Sequence, residues 1–248
     1  EPVAHELRLR LEGYTFFMTS SIYSDGSYRS HNPDWHAEDS SWKASKIADI
    51  MRRNGIRPET VCEIGCGAGE ILVELAGLLP AGTRFDGYEI SPDAYSICAP
   101  KARQNIEFHL ADLCKEDRQF DLALAIDVFE HVEDHFSFLR QLKQKARYKI
   151  FHIPLDLSAV TIARRGQLVS RRQSLGHLHY FTKETALATL EDTGYTVIDQ
   201  NFTSWATELG GFGWKSSLLK QPRRALARIA PDLAPRVLGG YSLLVLAE

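Results

Sequence analysis

The chain has 248 residues, 44% hydrophobic and 25% charged, with a formal net charge of −3. That composition excludes a disordered chain, and the length allows one large α/β domain burying roughly 70–75% of its unfolded surface without staples. The slightly acidic balance gives no global pull toward nucleic acid or anionic lipid, no apolar run approaches the roughly 20 residues of a membrane span, and no signal peptide is visible after Glu1.

Residues 1–40 hold Tyr14, Phe16, Phe17, Tyr23, Tyr28, Trp35 and His36 with poor periodicity. They are expected to form a lid, not the first element of a sheet. Trp42, Ile47, Ile50 and Met51 recur at helical spacing, which predicts a helix over 41–54 stopped by Asn54-Gly55. Strands are then predicted at 60–64, 84–89, 106–110, 121–126 and 148–153, alternating with helices at 70–78, 92–98 (Ser91 as N-cap) and 136–146. This rhythm predicts a doubly wound, Rossmann-like α/β fold with a mostly parallel sheet. Residues 155–180 break it and hold Arg164, Arg165, Arg171, Arg172, His177 and His179. A helix at 183–193 has Thr182 as cap and Gly194 after its end, and a strand follows at 195–199. Residues 202–239 form a second insertion, with a basic helix near 220–229 carrying Lys220, Arg223, Arg224 and Arg228; a last strand is expected at 241–247. The expected organisation is one domain over 41–248 behind the lid. Cys62, Cys66, Cys98 and Cys114 include no CxxC pair, which argues against a zinc knuckle and for a reduced, cytoplasmic chain.

The functional signal centres on Glu63-Ile64-Gly65-Cys66-Gly67-Ala68-Gly69, a strand running through glycines into a helix. Glycines there let the backbone turn sharply and approach a ligand. A dinucleotide turn has GxGxxG and aims helix N–H groups at pyrophosphate. Here the spacing is GxGxG, and Glu63 lies two residues ahead, suiting a cationic amino group. Glu89 ends the next strand, where a carboxylate can accept both ribose hydroxyls, and Asp112 follows the third strand, within reach of an adenine amine. The implied ligand has an ammonium end, a ribose and an adenine, and needs no phosphate. S-adenosylmethionine (SAM) fits.

With these residues the chain resembles the class I SAM-dependent methyltransferases. The matching segments are Glu63–Gly69, Gly87-Tyr88-Glu89-Ile90-Ser91, Ala111-Asp112-Leu113, Asp127-Val128-Phe129-Glu130-His131-Val132-Glu133-Asp134 and His177-Leu178-His179-Tyr180-Phe181-Thr182. The resemblance covers roughly residues 41–200 and the last strand. It implies sheet order 3-2-1-4-5-7-6 with an antiparallel last strand. It also implies a cofactor pocket in which Glu63, Gly65, Cys66, Gly67 and Gly69 line the methionine end, Glu89 binds ribose and Asp112 lies by adenine. Ile90, Leu113, Asp127, Val128 and Trp42 are expected to complete that pocket.

Methyl transfer from a sulfonium is an in-line displacement, so the protein must align the acceptor and remove a proton if it is a hydroxyl. Asp127, Glu130 and His131 follow the fourth strand, at the edge where such sheets bind ligands. His131 is the first choice for base, since imidazoles titrate near neutrality; the competing reading is that Glu130-His131 caps the next helix. Glu130, His152 and His179 are the other catalytic candidates. Of His177 and His179, one is expected to pack and the other to face the substrate. Trp35, His36 and Trp42 are candidates to close over the cofactor. The Asp127, Glu130, His131 and His152 set also resembles a divalent-metal arrangement of small-RNA 2′-O-methyltransferases, which makes metal a secondary reading.

The expected activity is O-methylation of a small molecule, a sugar or natural product. The basic insertions leave room for a phosphorylated or nucleotide-linked acceptor. RNA ribose methylation is disfavoured by the acidic balance and the lack of an RNA-binding appendage. An NAD(P)-dependent oxidoreductase would need GxGxxG, and a non-catalytic SAM-binding module would have no use for three histidines near one edge.

Overall fold

The computed structural model describes residue 35 and residues 37–205, 207–208 and 224–248. Helix α1 (Ser40–Arg53) precedes β1 (Thr60–Ile64), α2 (Glu70–Leu78), β2 (Arg84–Glu89), α3 (Pro92–Cys98) and β3 (Ile106–Leu110). Then come β4 (Phe120–Ile126), α4 (His135–Lys143), β5 (Ala146–Pro154), α5 (Ala159–Ala163), α6 (Gln167–Ser174), α7 (Lys183–Asp192), β6 (Val197–Thr203) and β7 (Ser242–Ala247). Short helices at 224–229 and Leu233–Leu238 lead into β7. None of the described helices is long and apolar enough to cross a membrane.

The seven strands form one sheet, β3-β2-β1-β4-β5-β7-β6. The first five are mutually parallel, and β7 runs antiparallel to both neighbours. Successive side chains of a strand point to opposite faces, so each central strand feeds two cores. Cys62, Ala123, Ala125 and Phe151 pack with Leu139 and Leu142 of α4 and Leu190 of α7. Val61, Leu122, Leu124 and Leu246 pack with Ile47, Ile50 and Met51 of α1 and Leu72 and Leu75 of α2. Burial on both faces is why β4 reads as an unbroken apolar run. The expected caps form: Ser91 accepts from Ala94 N–H, and Thr182 closes a capping box with Thr185.

Two elements end or begin several residues from where they were expected. The helix predicted to end at 146 stops at Lys143, because Phe120 N–H bonds to Lys145 C=O and Ala146 pairs with Phe120 in the sheet. The strand predicted at 195–199 runs from Val197 to Thr203. Tyr195 is instead a core residue whose hydroxyl donates to Leu139 C=O, and β6 gains its length by pairing with β7 through an irregularity between Val197 and Asp199. Residues 155–180 hold two short helices. The expected lid over 1–40 lies outside the described residues except Trp35 and 37–40, as do residue 206 and residues 209–223 of the second insertion, Lys220 and Arg223 among them.

Candidate functional site

β1 ends at Ile64, and the chain turns through Gly65, Gly67 and Gly69 with φ of 65°, 53° and 78°, a region L side chains rarely adopt. The three are not equivalent. A Cβ on Gly69 would lie 2.6 Å from Phe108 Cε1 and 2.9 Å from Cys98 Cβ, and one on Gly65 would lie 3.1 Å from Val128 Cγ2. Among the described residues, one on Gly67 would meet only Trp35 Cε3, at 3.9 Å. Protein atoms therefore crowd Gly65 and Gly69, whereas Gly67 faces open space where a ligand can approach the backbone.

Glu89 turns back into this loop. Its Oε2 accepts from Gly67 N–H at 2.9 Å, and Oε1 accepts from Ile90 and Ser91 N–H, both at 2.8 Å. Burial raises the Glu89 pKa, and the three N–H donors oppose that rise. Ile90 stands exposed at the rim. Asp112 accepts from Cys114 N–H at 3.0 Å and lies 3.4 Å from Lys115 Nζ. Leu113 packs fully in the core, which leaves only its backbone to face a ligand.

Near the loop lies a cluster of buried charged side chains. Glu63 is 2% exposed, and its Oε2 has no hydrogen-bond partner among the described residues; burial pushes its pKa well up against the opposing charge of Lys43. Lys43, from α1, places Nζ 2.9 Å from Asp127 Oδ2 and 3.0 Å from Asp39 Oδ2. Burial works against the Lys43 ammonium, but these two carboxylates outweigh it and raise the pKa. Burial likewise works against the Asp127 carboxylate, yet His152 and Lys43 hold its pKa far below the ordinary range. Lys43 was not singled out in the sequence. The available signal is that Lys43, Ile47 and Ile50 fall at i, i+4 and i+7, which puts a cation on the core-facing stripe of α1.

Beyond Asp127 lie the predicted catalytic residues, and the structure divides them. His152 is 4% exposed, with Nδ1 2.7 Å from Asp127 Oδ1 and Nε2 2.9 Å from Thr203 Oγ1. Both ring nitrogens are thus engaged, one by the Asp127 carboxylate and one by the Thr203 hydroxyl. His179 places Nε2 2.9 Å from Val132 C=O, and its ring packs on His135 at 4.1 Å. His177 turns inward instead: its ring meets that of His131 at 4.9 Å, and its Nδ1 lies 2.6 Å from Asp156 Oδ2. Glu130 is fully buried beside them, with Oε1 3.8 Å from His131 Nε2. The Glu130-His131 pair does not cap α4; Asp134 does, through Ser137 N–H at 3.0 Å.

The metal set Asp127, Glu130, His131 and His152 is not assembled, because Asp127 and His152 are bound to each other, to Lys43 and to Thr203. Glu130, His131 and His177 do bring potential ligand atoms within 4.8 Å of one another. Trp42 donates from Nε1 to Glu208 at 3.0 Å and meets His152 edge-on, so Trp35 is the aromatic beside Gly67. His36 lies outside the described residues. Arg171 is paired with Asp156, while Arg164 and Arg165 are exposed.

A family model for a methyltransferase domain matches residues 34–200. Over 108 residues, 40% of the chain, the sequence is 29% identical to norajmaline N-methyltransferase of Rauvolfia serpentina, and the match spans 36% of that relative's length. Magnesium protoporphyrin IX methyltransferase from Synechocystis PCC 6803, solved with S-adenosylhomocysteine (SAH), is similar at TM-score 0.59 and 16% identity, covering 92% of this chain and 96% of that one. The N-methyltransferase NodS from Bradyrhizobium japonicum WM9, also with SAH, is similar at TM-score 0.54 and 16% identity, covering 90% and 98%. At such identities the two structures speak for the fold alone.

Proposed function

The chain belongs to the methyltransferase-domain family, the class I SAM-dependent methyltransferases, and from that premise we propose that it moves a methyl group from SAM to a hydroxyl of a small-molecule acceptor, a sugar or natural product. The observation that carries the reading is the buried Glu63 oxygen without a partner, beside the open backbone of Gly67. A buried carboxylate in that state is costly unless a cation meets it, and the ammonium end of SAM is such a cation. The residues present therefore fit the cofactor. When bound, SAM supplies an electrophilic methyl on its sulfonium.

The chain's own groups do the rest. Glu63 receives the ammonium, Glu89 the ribose hydroxyls and Asp112 the adenine amine, with Ile90 at the rim. Lys43 and His152 keep Asp127 ionised and fixed. His131, on the loop after β4, takes the proton from the acceptor hydroxyl and passes it to water. A second reading, an amine acceptor, is favoured by the likeness to norajmaline N-methyltransferase. The exposed Arg164 and Arg165 suit an anionic acceptor.

Isothermal titration with SAH tests the pocket; Gly67→Arg should abolish binding, and unchanged affinity would mean that the pocket is elsewhere. Mass spectrometry of extracts incubated with methyl-labelled SAM identifies the product and the methylated atom. His131→Ala should lower kcat by about 100-fold or more, the ordinary weight of a general base, with SAH affinity intact. Unchanged turnover would remove His131 from that role.

A further inference from the structure

Glu130 is the least satisfied charged side chain in the described core. It is 0% exposed, and neither carboxylate oxygen has a hydrogen-bond partner. Protonation does not resolve this, because the added O–H would still lack an acceptor. Buried polar groups are almost always paired, so something other than the described protein atoms belongs there. The surroundings are nitrogen donors: His131 and His177 each bring a ring nitrogen within 4.8 Å of a Glu130 oxygen and of each other.

The second feature is how His177 is held. Asp156 Oδ2 lies 2.6 Å from its Nδ1, and the other Asp156 oxygen is paired with Arg171. A carboxylate on one imidazole nitrogen fixes the ring and leaves the opposite nitrogen as a metal ligand, the usual support of a metal-bound histidine. The third feature is rigidity: Leu178 and His179 donate their N–H groups to the Glu130 C=O at 2.8 and 3.1 Å, tying together the two segments that carry the donors.

We propose that Glu130, His131 and His177 form a site for one divalent transition-metal ion, with Asp156 as the residue that positions His177. Two imidazoles and one carboxylate suit Zn²⁺, Co²⁺ or Fe²⁺ better than Mg²⁺ or Ca²⁺, and three protein ligands leave a coordination position open. SAM binding does not need the ion. Its role rests on the proposed function: at the edge where the acceptor lies, the open position takes the acceptor oxygen, and with the ion bound His131 serves as a ligand while the ion acidifies that hydroxyl in place of the free imidazole. The other donor cluster, Asp86, Glu107 and His109, lacks these features, because Asp86 Oδ1 is already held by Arg118 and His109, each at 2.7 Å.

The test is titration of the full chain with CoCl2, read by visible absorption of the bound ion, and with ZnCl2, read by calorimetry. One ion per chain is expected. Glu130→Gln and His131→Ala should each weaken that site more than about tenfold, and Asp156→Asn by about 10–100-fold. Each variant is checked by thermal melting and SAH titration, so that loss of the metal is read only on folded protein. No saturable binding in the wild type, or equal affinity in folded Glu130→Gln and His131→Ala, overturns the site. Metal binding without SAH binding would sink the proposed function and leave the site standing; SAH binding without metal would do the reverse.

Discussion

Gly69 and Gly67 share a backbone conformation but not an environment, so alanine at each position should fail differently. Both variants force a side chain into positive φ, at about 1–2 kcal/mol. Gly69→Ala adds a collision, with Cβ 2.6 Å from Phe108 and 2.9 Å from Cys98 Cβ. Phe108 can tilt, but the Cys98 Cβ is anchored to the backbone of α3, so overpacking adds about 1–3 kcal/mol. The sum, about 2–5 kcal/mol, corresponds to a Tm lower by roughly 5–15 °C in a chain of this size. Among the described residues Gly67→Ala meets Trp35 alone, at 3.9 Å, so its Tm should fall by about 2–6 °C. Its methyl, however, occupies the space left for the cofactor, and SAH affinity should drop by roughly tenfold or more, a loss of about 1.4 kcal/mol. Differential scanning fluorimetry and SAH calorimetry on both variants read the two effects. Equal melting losses, or wild-type SAH affinity in Gly67→Ala, would refute the reasoning.

Lys149 sits almost fully buried in β5, where burial, then the charge of Lys143, depress its pKa from 10.5 to about 8. A depressed folded pKa means that stability is full above about pH 10.5 and is lost as pH falls through 8. The loss at pH 7 is at most about 3 kcal/mol. Lys149→Met should therefore raise Tm at pH 7, and the gain should shrink toward pH 10; a gain independent of pH would rule out the charge as its source. Lys43→Met strips Asp127 of a partner in a partly dehydrated site and should cost about 2–4 kcal/mol in denaturant unfolding. Lys43→Met combined with Asp127→Asn should recover much of that loss; purely additive losses would show that the pair does not interact.

The strands closest to the centre of the sheet were the most legible. β4 is covered on both faces, so Leu122–Ile126 carries an apolar run that says where it lies, and β1 (Thr60–Ile64) is marked by the glycines that follow it. β6 was harder because it is an edge strand: the expected strand stopped at Asp199, and Gln200 and Asn201 carry no apolar signal until β7 supplies their partners. Glu63 and Glu89 were legible because their distances from the glycines are set by strand and helix lengths. Lys43 was not, since its carboxylates come from a preceding turn and from a strand end 84 residues away in sequence. The choice between His177 and His179 was likewise beyond local pattern: residues two apart in an irregular segment differ only in which distant group captures each ring, Asp156 or the Val132 carbonyl.

The placement of β7 between β5 and β6 has a consequence for how the molecule is made. Strands β1 to β5 can register against one another while downstream residues are still emerging, since all their partners are already present. β6 cannot join them, because its only neighbour in the sheet is translated later. Until Ser242–Ala247 arrives, β5 and β6 each expose a row of unsatisfied backbone groups. The half of the sheet that carries His152 and Thr203 is therefore the last to lock, and the nascent protein is most prone to wrong pairing just before synthesis of that segment is finished.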